Sequence, residues 1–138
     1  MLARFTVVLL DMNGTFMFGG DRFGPEQDFA ATYHALGGRR LAAQVVQDGV
    51  LNLFATTVFS SDSRSVKPSR KLFEHALGAI NAPRSEVVFV GDSLRCDIGG
   101  AAGAGLASIW IDRAGRGRGA TDPEPTFVIG NLLELINP

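Results

Sequence analysis

Two short apolar runs, each closed by an aspartate, constrain this chain more than any other feature. Phe5-Thr6-Val7-Val8-Leu9-Leu10 and Val87-Val88-Phe89-Val90 are nearly continuous runs rich in β-branched residues, the pattern of parallel strands buried on both faces. Asp11 and Asp92 then stand at the carboxyl ends of those strands, the edge at which ligands bind in open α/β sheets. Strand-like runs alternate with helical patterns and no internal repeat intervenes, so the fold class expected is α/β with a parallel sheet. The 138 residues fit one domain, large enough to bury roughly two-thirds of the surface its unfolded chain exposes.

Charge and composition narrow the partners. A formal net charge of -1 with 20% charged residues carries no global basicity, so no nucleic-acid partner is expected. No run approaches the ~18 apolar residues of a membrane span, and no membrane partner is expected. The single Cys96 allows no internal disulfide and fits a reducing cytosol, giving a cytoplasmic expectation. Met1-Leu2-Ala3-Arg4-Phe5 resembles the start of a signal peptide, but Asp11 halts the apolar run and no small-residue cleavage site follows; the segment reads as strand one.

Between the strands, Phe29, Tyr33 and Leu36 form the stripe of a helix from Pro25 to Gly37-Gly38, and Leu41, Val45 and Val46 continue a similar stripe to about Asp48. That spacing predicts a helical hairpin. Thr57-Val58-Phe59-Ser60 reads as a short strand. Pro68 is expected to open a helix with Leu72, Phe73, Ala76, Leu77 and Ile80 on its buried face. Asp97 is expected to begin a Gly- and Ala-rich helix ending near Gly103-Ala104-Gly105, with Gly99, Gly100 and Gly103 permitting close backbone packing against the sheet. Ala107 to Ile111 reads as a strand, Arg113 to Pro125 as a flexible solvated loop, Thr126 to Ile129 as an edge strand and Leu132 to Ile136 as a short closing helix.

Three elements in order carry a family likeness: Asp11-Met12-Asn13-Gly14-Thr15 after strand one, Val66-Lys67-Pro68 before a helix, and Gly91-Asp92-Ser93 followed by Asp97. With them the chain resembles the haloacid dehalogenase (HAD)-like superfamily, Mg²⁺-dependent hydrolases that work through an aspartyl intermediate. The likeness covers Phe5 to Thr15 and almost everything from Val58 to Pro138. It implies a three-layer Rossmann-like parallel sheet with a reduced helical cap, in one domain over 1-138 with 16-50 as the remnant cap insertion.

The resemblance also implies roles. Asp11 is the expected nucleophile, since covalent catalysis splits a hard displacement into two easier ones. Mg²⁺ is the implied cofactor, with the Asp11 carboxylate, the Asn13 backbone carbonyl and the Asp92 side chain as ligands and Asp97 orienting bound water. Lys67 is expected to offset the charge of Asp11 and the phosphoryl oxygens, Gly14 to free the turn, and Thr15 to brace the loop. Each motif has a plainer reading: Asp-Met-Asn-Gly-Thr as an Asx-bonded turn, Asp92 and Asp97 as acids favoured at a helix N-terminus, Lys67 as a surface lysine. Arg64 and Arg95 read as solvated, and His34 and His75 have no ligand-like spacing.

Two departures from the family pattern stand out. Its phosphatases usually carry a second aspartate two residues after the nucleophile, and here that position is Asn13, whose amide cannot do acid-base work. Moreover, only 40 residues, 16 to 55, separate Thr15 from Thr56, while a cap plus a βαβ unit of about 30 residues or more requires a longer stretch. The sequence reads as though a block near Val50 were missing. The family's phosphate-binding Ser/Thr then has no clear counterpart, and Ser61 is the substitute that remains for substrate binding beside Thr15 and Lys67.

The function expected is a Mg²⁺-dependent hydrolase, a phosphatase of small phosphorylated metabolites. A haloacid dehalogenase-type hydrolase and a non-catalytic relative that binds phosphate or a partner are the alternatives. A response-regulator receiver also uses Asp, Mg²⁺ and Lys, but its reactive Asp lies on a middle strand.

Overall fold

Val87–Gly91 is buried at all five positions and forms the strand that organises the sheet. The computed structural model describes residues 3–11, 15, 55, 56, 58 and 63–135. The chain divides into two units, Met1–Phe16 with Val58–Pro138, and Met17–Thr57, and the first contains the sheet. Its sheet has four strands in the order β1 (Val7–Leu10), β2 (Val87–Gly91), β3 (Ala107–Ile111) and β4 (Phe127–Ile129). All pairings are parallel, with Val7 beside Val87, Leu10 beside Val90, Gly91 beside Trp110 and Ile111 beside Ile129. This is the parallel α/β sheet expected from the apolar runs, in the Rossmann-like arrangement that the resemblance implied, with β1 shorter than the run Phe5 to Leu10. The expected helical hairpin over 25–48 and the cap over 16–50 lie outside the described residues. So does the expected strand over 57–60 apart from Val58, which is in neither helix nor strand.

Alternation along β2 feeds two cores. Val87 and Phe89 join Phe73, Ala101, Ala104 and Leu106 on one face. Val88 and Val90 join Ile109, Ile111 and Ile129 on the other, backed by Leu10, Leu132 and Leu135. Burying each fully buried Val, Ile, Leu or Phe among them contributes about 1.5–3 kcal/mol. β1 is the edge among the described strands: Val8 is 42% exposed, whereas its register partner Val88 is 0% exposed.

Helix α1 (Arg70–Gly78) presents Phe73 to the first core, its ring 5.0 Å from that of Phe89. It starts two residues later than expected, because the Ser69 N–H first closes a turn on the Val66 carbonyl at 2.9 Å. The next helical segment starts earlier than expected. The Ser93 hydroxyl accepts from the Cys96 N–H at 3.1 Å and caps a π-helical turn, Leu94–Ile98, that runs into α2 (Gly99–Gly103). The Ser93 carbonyl is shared by the N–H groups of Asp97 and Ile98, so the turn is widened where Asp97 sits. A hydroxyl, not the acid, is therefore the cap.

Gly100 serves packing against α1 rather than against the sheet, while Ala101 and Ala104 join the strand residues of the first core. A Cβ on Gly100 would lie 2.4 Å from the Phe73 ring and 3.2 Å from the Pro68 Cα, whereas one on Gly103 meets nothing within 4 Å. The stretch 113–125 is irregular but tied down: the Asp112 carboxylate accepts from the N–H groups of Arg116 at 3.1 Å and Gly117 at 2.7 Å, and Asp122 accepts from that of Gly119 at 2.8 Å. It is the solvated loop expected, exposed at every position from 113 to 121, with its turns held by those two carboxylates. The closing helix is a 3-10 turn, Leu132–Leu135.

Gly100→Ala is expected to destabilise the chain by about 1–3 kcal/mol, because Phe73 cannot yield in a filled core. Gly103→Ala is expected to be neutral or stabilising, as alanine is the better helix former. Denaturant midpoints for the two variants check the contrast.

Candidate active site

Asp11 is fixed by the sheet ladder itself. Its N–H donates to the Val90 carbonyl at 2.9 Å, extending the β1–β2 pairing one residue past the strand and holding Asp11 at the carboxyl edge. Both of its carboxylate oxygens accept hydrogen bonds: Oδ2 from the hydroxyl of Thr15 at 3.1 Å, and Oδ1 from the Lys67 ammonium. Thr15 is fully buried, so its hydroxyl acts as an internal brace.

Lys67 leaves the turn before α1 and donates also to Asp97 Oδ1 at 2.6 Å. The other Asp97 oxygen accepts from the Ser93 N–H at 2.9 Å. Asp97 packs so closely on the end of β2 that a Cβ on Gly91 would come within 2.4 Å of its carboxylate. Only glycine fits there. Asp92, the residue after β2, is exposed, and among the described residues its carboxylate has no protein donor.

Carboxylate oxygens of Asp11, Asp92 and Asp97 all lie within 4.8 Å of one another. Three carboxylates facing one ammonium leave an excess of negative charge. Burial, joined by repulsion from Asp11, pushes the Asp97 carboxyl above the usual carboxylate range against the attraction of Lys67. For Lys67, burial alone would depress the ammonium, but the charges of Asp97 and Asp11 and its hydrogen bonds to both outweigh it and hold it above its ordinary 10.5. An all-oxygen, carboxylate-rich donor set with surplus negative charge suits a hard divalent cation such as Mg²⁺.

The structure therefore brings Asp11, Thr15, Lys67, Asp92 and Asp97 together from the sequence-predicted set. Asn13 and Ser61 lie outside the described residues. Arg64, His75 and Arg95 are exposed. Two residues that the sequence did not single out also reach the site loops: the Trp110 indole N–H donates to the Asp92 carbonyl at 3.0 Å, and the Arg113 guanidinium donates to the Thr15 carbonyl. The available signal was position: Trp110 pairs with Gly91, the residue before Asp92.

A raised Lys67 means that its ion pairs contribute fully below pH 10.5 and are lost as pH rises through the higher folded value. Stability measured from neutrality to beyond that point is expected to fall in the wild type more than in Lys67→Met. Parallel curves would contradict this assignment.

The HAD-hydrolase-like family model matches residues 66–135. That range holds Lys67, Asp92 and Asp97; Asp11 and Thr15 precede it and are joined to it by the hydrogen bonds above. The chain is 32% identical to an N-acylneuraminate-9-phosphatase of Mus musculus over 59% of its own length and 34% of the relative's. A magnesium-bound HAD-hydrolase structure from Bacillus subtilis superposes with a TM-score of 0.62 at 26% identity, over 68% of this chain and 41% of that one. A 2-haloacid dehalogenase structure from Pseudomonas syringae does so with a TM-score of 0.61 at 32% identity, over 67% and 40%. The chain thus spans about a third of the length of the curated relative. With the matched range covering half the chain, and with an α/β sheet and motif order in agreement, this chain belongs to the HAD-hydrolase-like family.

Proposed function

We propose that the chain carries the active site of a Mg²⁺-dependent phosphohydrolase that works through an aspartyl phosphate on Asp11 and acts on small phosphorylated metabolites. The observation that carries this reading is the placement of Asp11 at the carboxyl end of β1. There it is held by Thr15 and Lys67, with Asp92 and Asp97 in reach. The phosphatase among its relatives supports the same reaction class.

In the first step an Asp11 oxygen attacks phosphorus as the bond to the leaving oxygen breaks. In the second, water displaces the Asp11 carboxylate from phosphorus and inorganic phosphate leaves. Thr15 fixes the carboxylate against rotation, so that a reacting oxygen is presented in one orientation. Lys67 supplies a compact positive charge to the same place, itself steadied by Asp97. Asp11 and Asp92 would hold Mg²⁺, together with the Asn13 main-chain carbonyl that the family likeness implies and with Asp97 orienting bound water, and the ion would supply the further positive charge that a carboxylate meeting a phosphoryl group requires.

Asn13 shapes the substrate preference. General acid-base catalysis contributes typically about 10²–10⁴-fold, and an amide supplies none. Substrates whose leaving oxygen departs without a proton, such as aryl phosphates, should therefore turn over better than alkyl phosphates. The Pseudomonas dehalogenase neighbour gives a second reading, in which Asp11 displaces halide from a 2-haloacid and forms an ester. Chloride release with a chelator present distinguishes it.

Two variants test the proposal. Asp11→Asn should abolish phosphate release from p-nitrophenyl phosphate. Asn13→Asp should raise turnover of an alkyl phosphate by on the order of 10²-fold while changing the aryl substrate less. Unchanged rates in both would overturn the reading, and Mg²⁺ binding without any product would instead identify a non-catalytic relative.

A further inference from the structure

β3 supplies no charged group to the carboxylate cluster, yet its carboxyl end holds both loops that do. Trp110 is 4% exposed, and a buried indole N–H requires an acceptor. Its acceptor is the main-chain carbonyl of Asp92 at 3.0 Å. Parallel pairing sets this up, because Gly91 lies opposite Trp110 and the indole reaches the next residue along.

Just past the strand, the Asp112 N–H donates to the Ile129 carbonyl at 2.8 Å, prolonging the β3–β4 ladder. Its carboxylate also gathers the N–H groups of Arg116 and Gly117 into a turn. Gly115 and Gly117, at φ 60° and 73°, permit that turn. Arg113, inside it, donates to the carbonyl of Thr15, 98 residues away in sequence. Thr15 in turn donates its hydroxyl to Asp11.

We propose that the carboxyl end of β3 is the positioning element of this site, with Trp110 holding the Asp92 loop and Arg113 the Thr15 loop, so that the carboxylates converge before any cation arrives. The proposal rests on the reading of the site as a Mg²⁺ centre. Each reaches the site through a main-chain carbonyl, which makes them positioning residues. Outer hydrogen-bond partners of this kind typically change metal affinity about 10- to 100-fold.

Calorimetric titration of the whole chain with Mg²⁺ alone tests this. Trp110→Phe keeps the ring and removes the N–H, and is expected to weaken Mg²⁺ binding about tenfold. Arg113→Met is expected to weaken it similarly, and Arg113→Lys, which retains a cationic donor, to recover part of the loss. Ile109→Val, a core change one residue from Trp110, separates positioning from general loss of stability and is expected to leave the affinity unchanged. Wild-type affinity in both Trp110→Phe and Arg113→Met, or a matching loss in Ile109→Val, would overturn the proposal while leaving the reaction assignment standing. A wild-type chain that does not bind Mg²⁺ would overturn the Mg²⁺ reading and this inference with it.

Discussion

The Lys67 ammonium between Asp11 and Asp97 is the contact on which the rest of the site depends. It joins residues 56 and 30 positions away, on the loop after β1 and on the turn after β2. Those carboxylates crowd against one another, and Asp97 has lost nearly all its water, its side chain being 1% exposed. A carboxylate in that position is tolerated only with a cation and a full set of hydrogen bonds. Lys67 and the Ser93 N–H provide them.

Packing keeps that lysine in place. Gly100 lets α2 approach until it touches Phe73 and Pro68, and Pro68 follows Lys67 directly. The close approach of two helices thus sets the position of a side chain at the sheet edge. Gly91 does the same for Asp97 from the strand side. Steric minima at two glycines and one capped, widened turn therefore convert ordinary core packing into a charge arrangement. The sheet contributes the remaining order, since the Asp11 N–H is bonded into the β1–β2 ladder.

Features governed by local pattern were legible in the sequence. β1 and β2 appeared as nearly continuous apolar runs, and Asp11 and Asp92 could be placed at their ends from that alone. Asp97 was misplaced as a helix start because an acid and a hydroxyl both favour a cap, and only the structure shows Ser93 taking that role. Gly103 was misread because an open glycine and a tightly packed one are identical in sequence. Trp110 and Arg113 were invisible for a different reason: each acts through a main-chain carbonyl far away in the chain, and no side-chain pattern records such a contact. Asn13, by contrast, rests on family likeness alone, and Ser61 stands only as a substitute for a family residue without a clear counterpart; both lie outside the described residues.

Asp11 and its neighbours are proposed to form a working phosphoryl site in this chain. Thermal unfolding in Mg²⁺ with beryllium fluoride, a mimic of aspartyl phosphate, tests it most directly, with the Asp11→Asn chain melted alongside. A ligand that binds only the folded state at 100 times its dissociation constant stabilises by about 2.7 kcal/mol, a rise in Tm of several degrees. That rise is expected in the wild type when both Mg²⁺ and beryllium fluoride are present, and no rise in Asp11→Asn. An unshifted wild-type melt, or an equal shift in both chains, would contradict it.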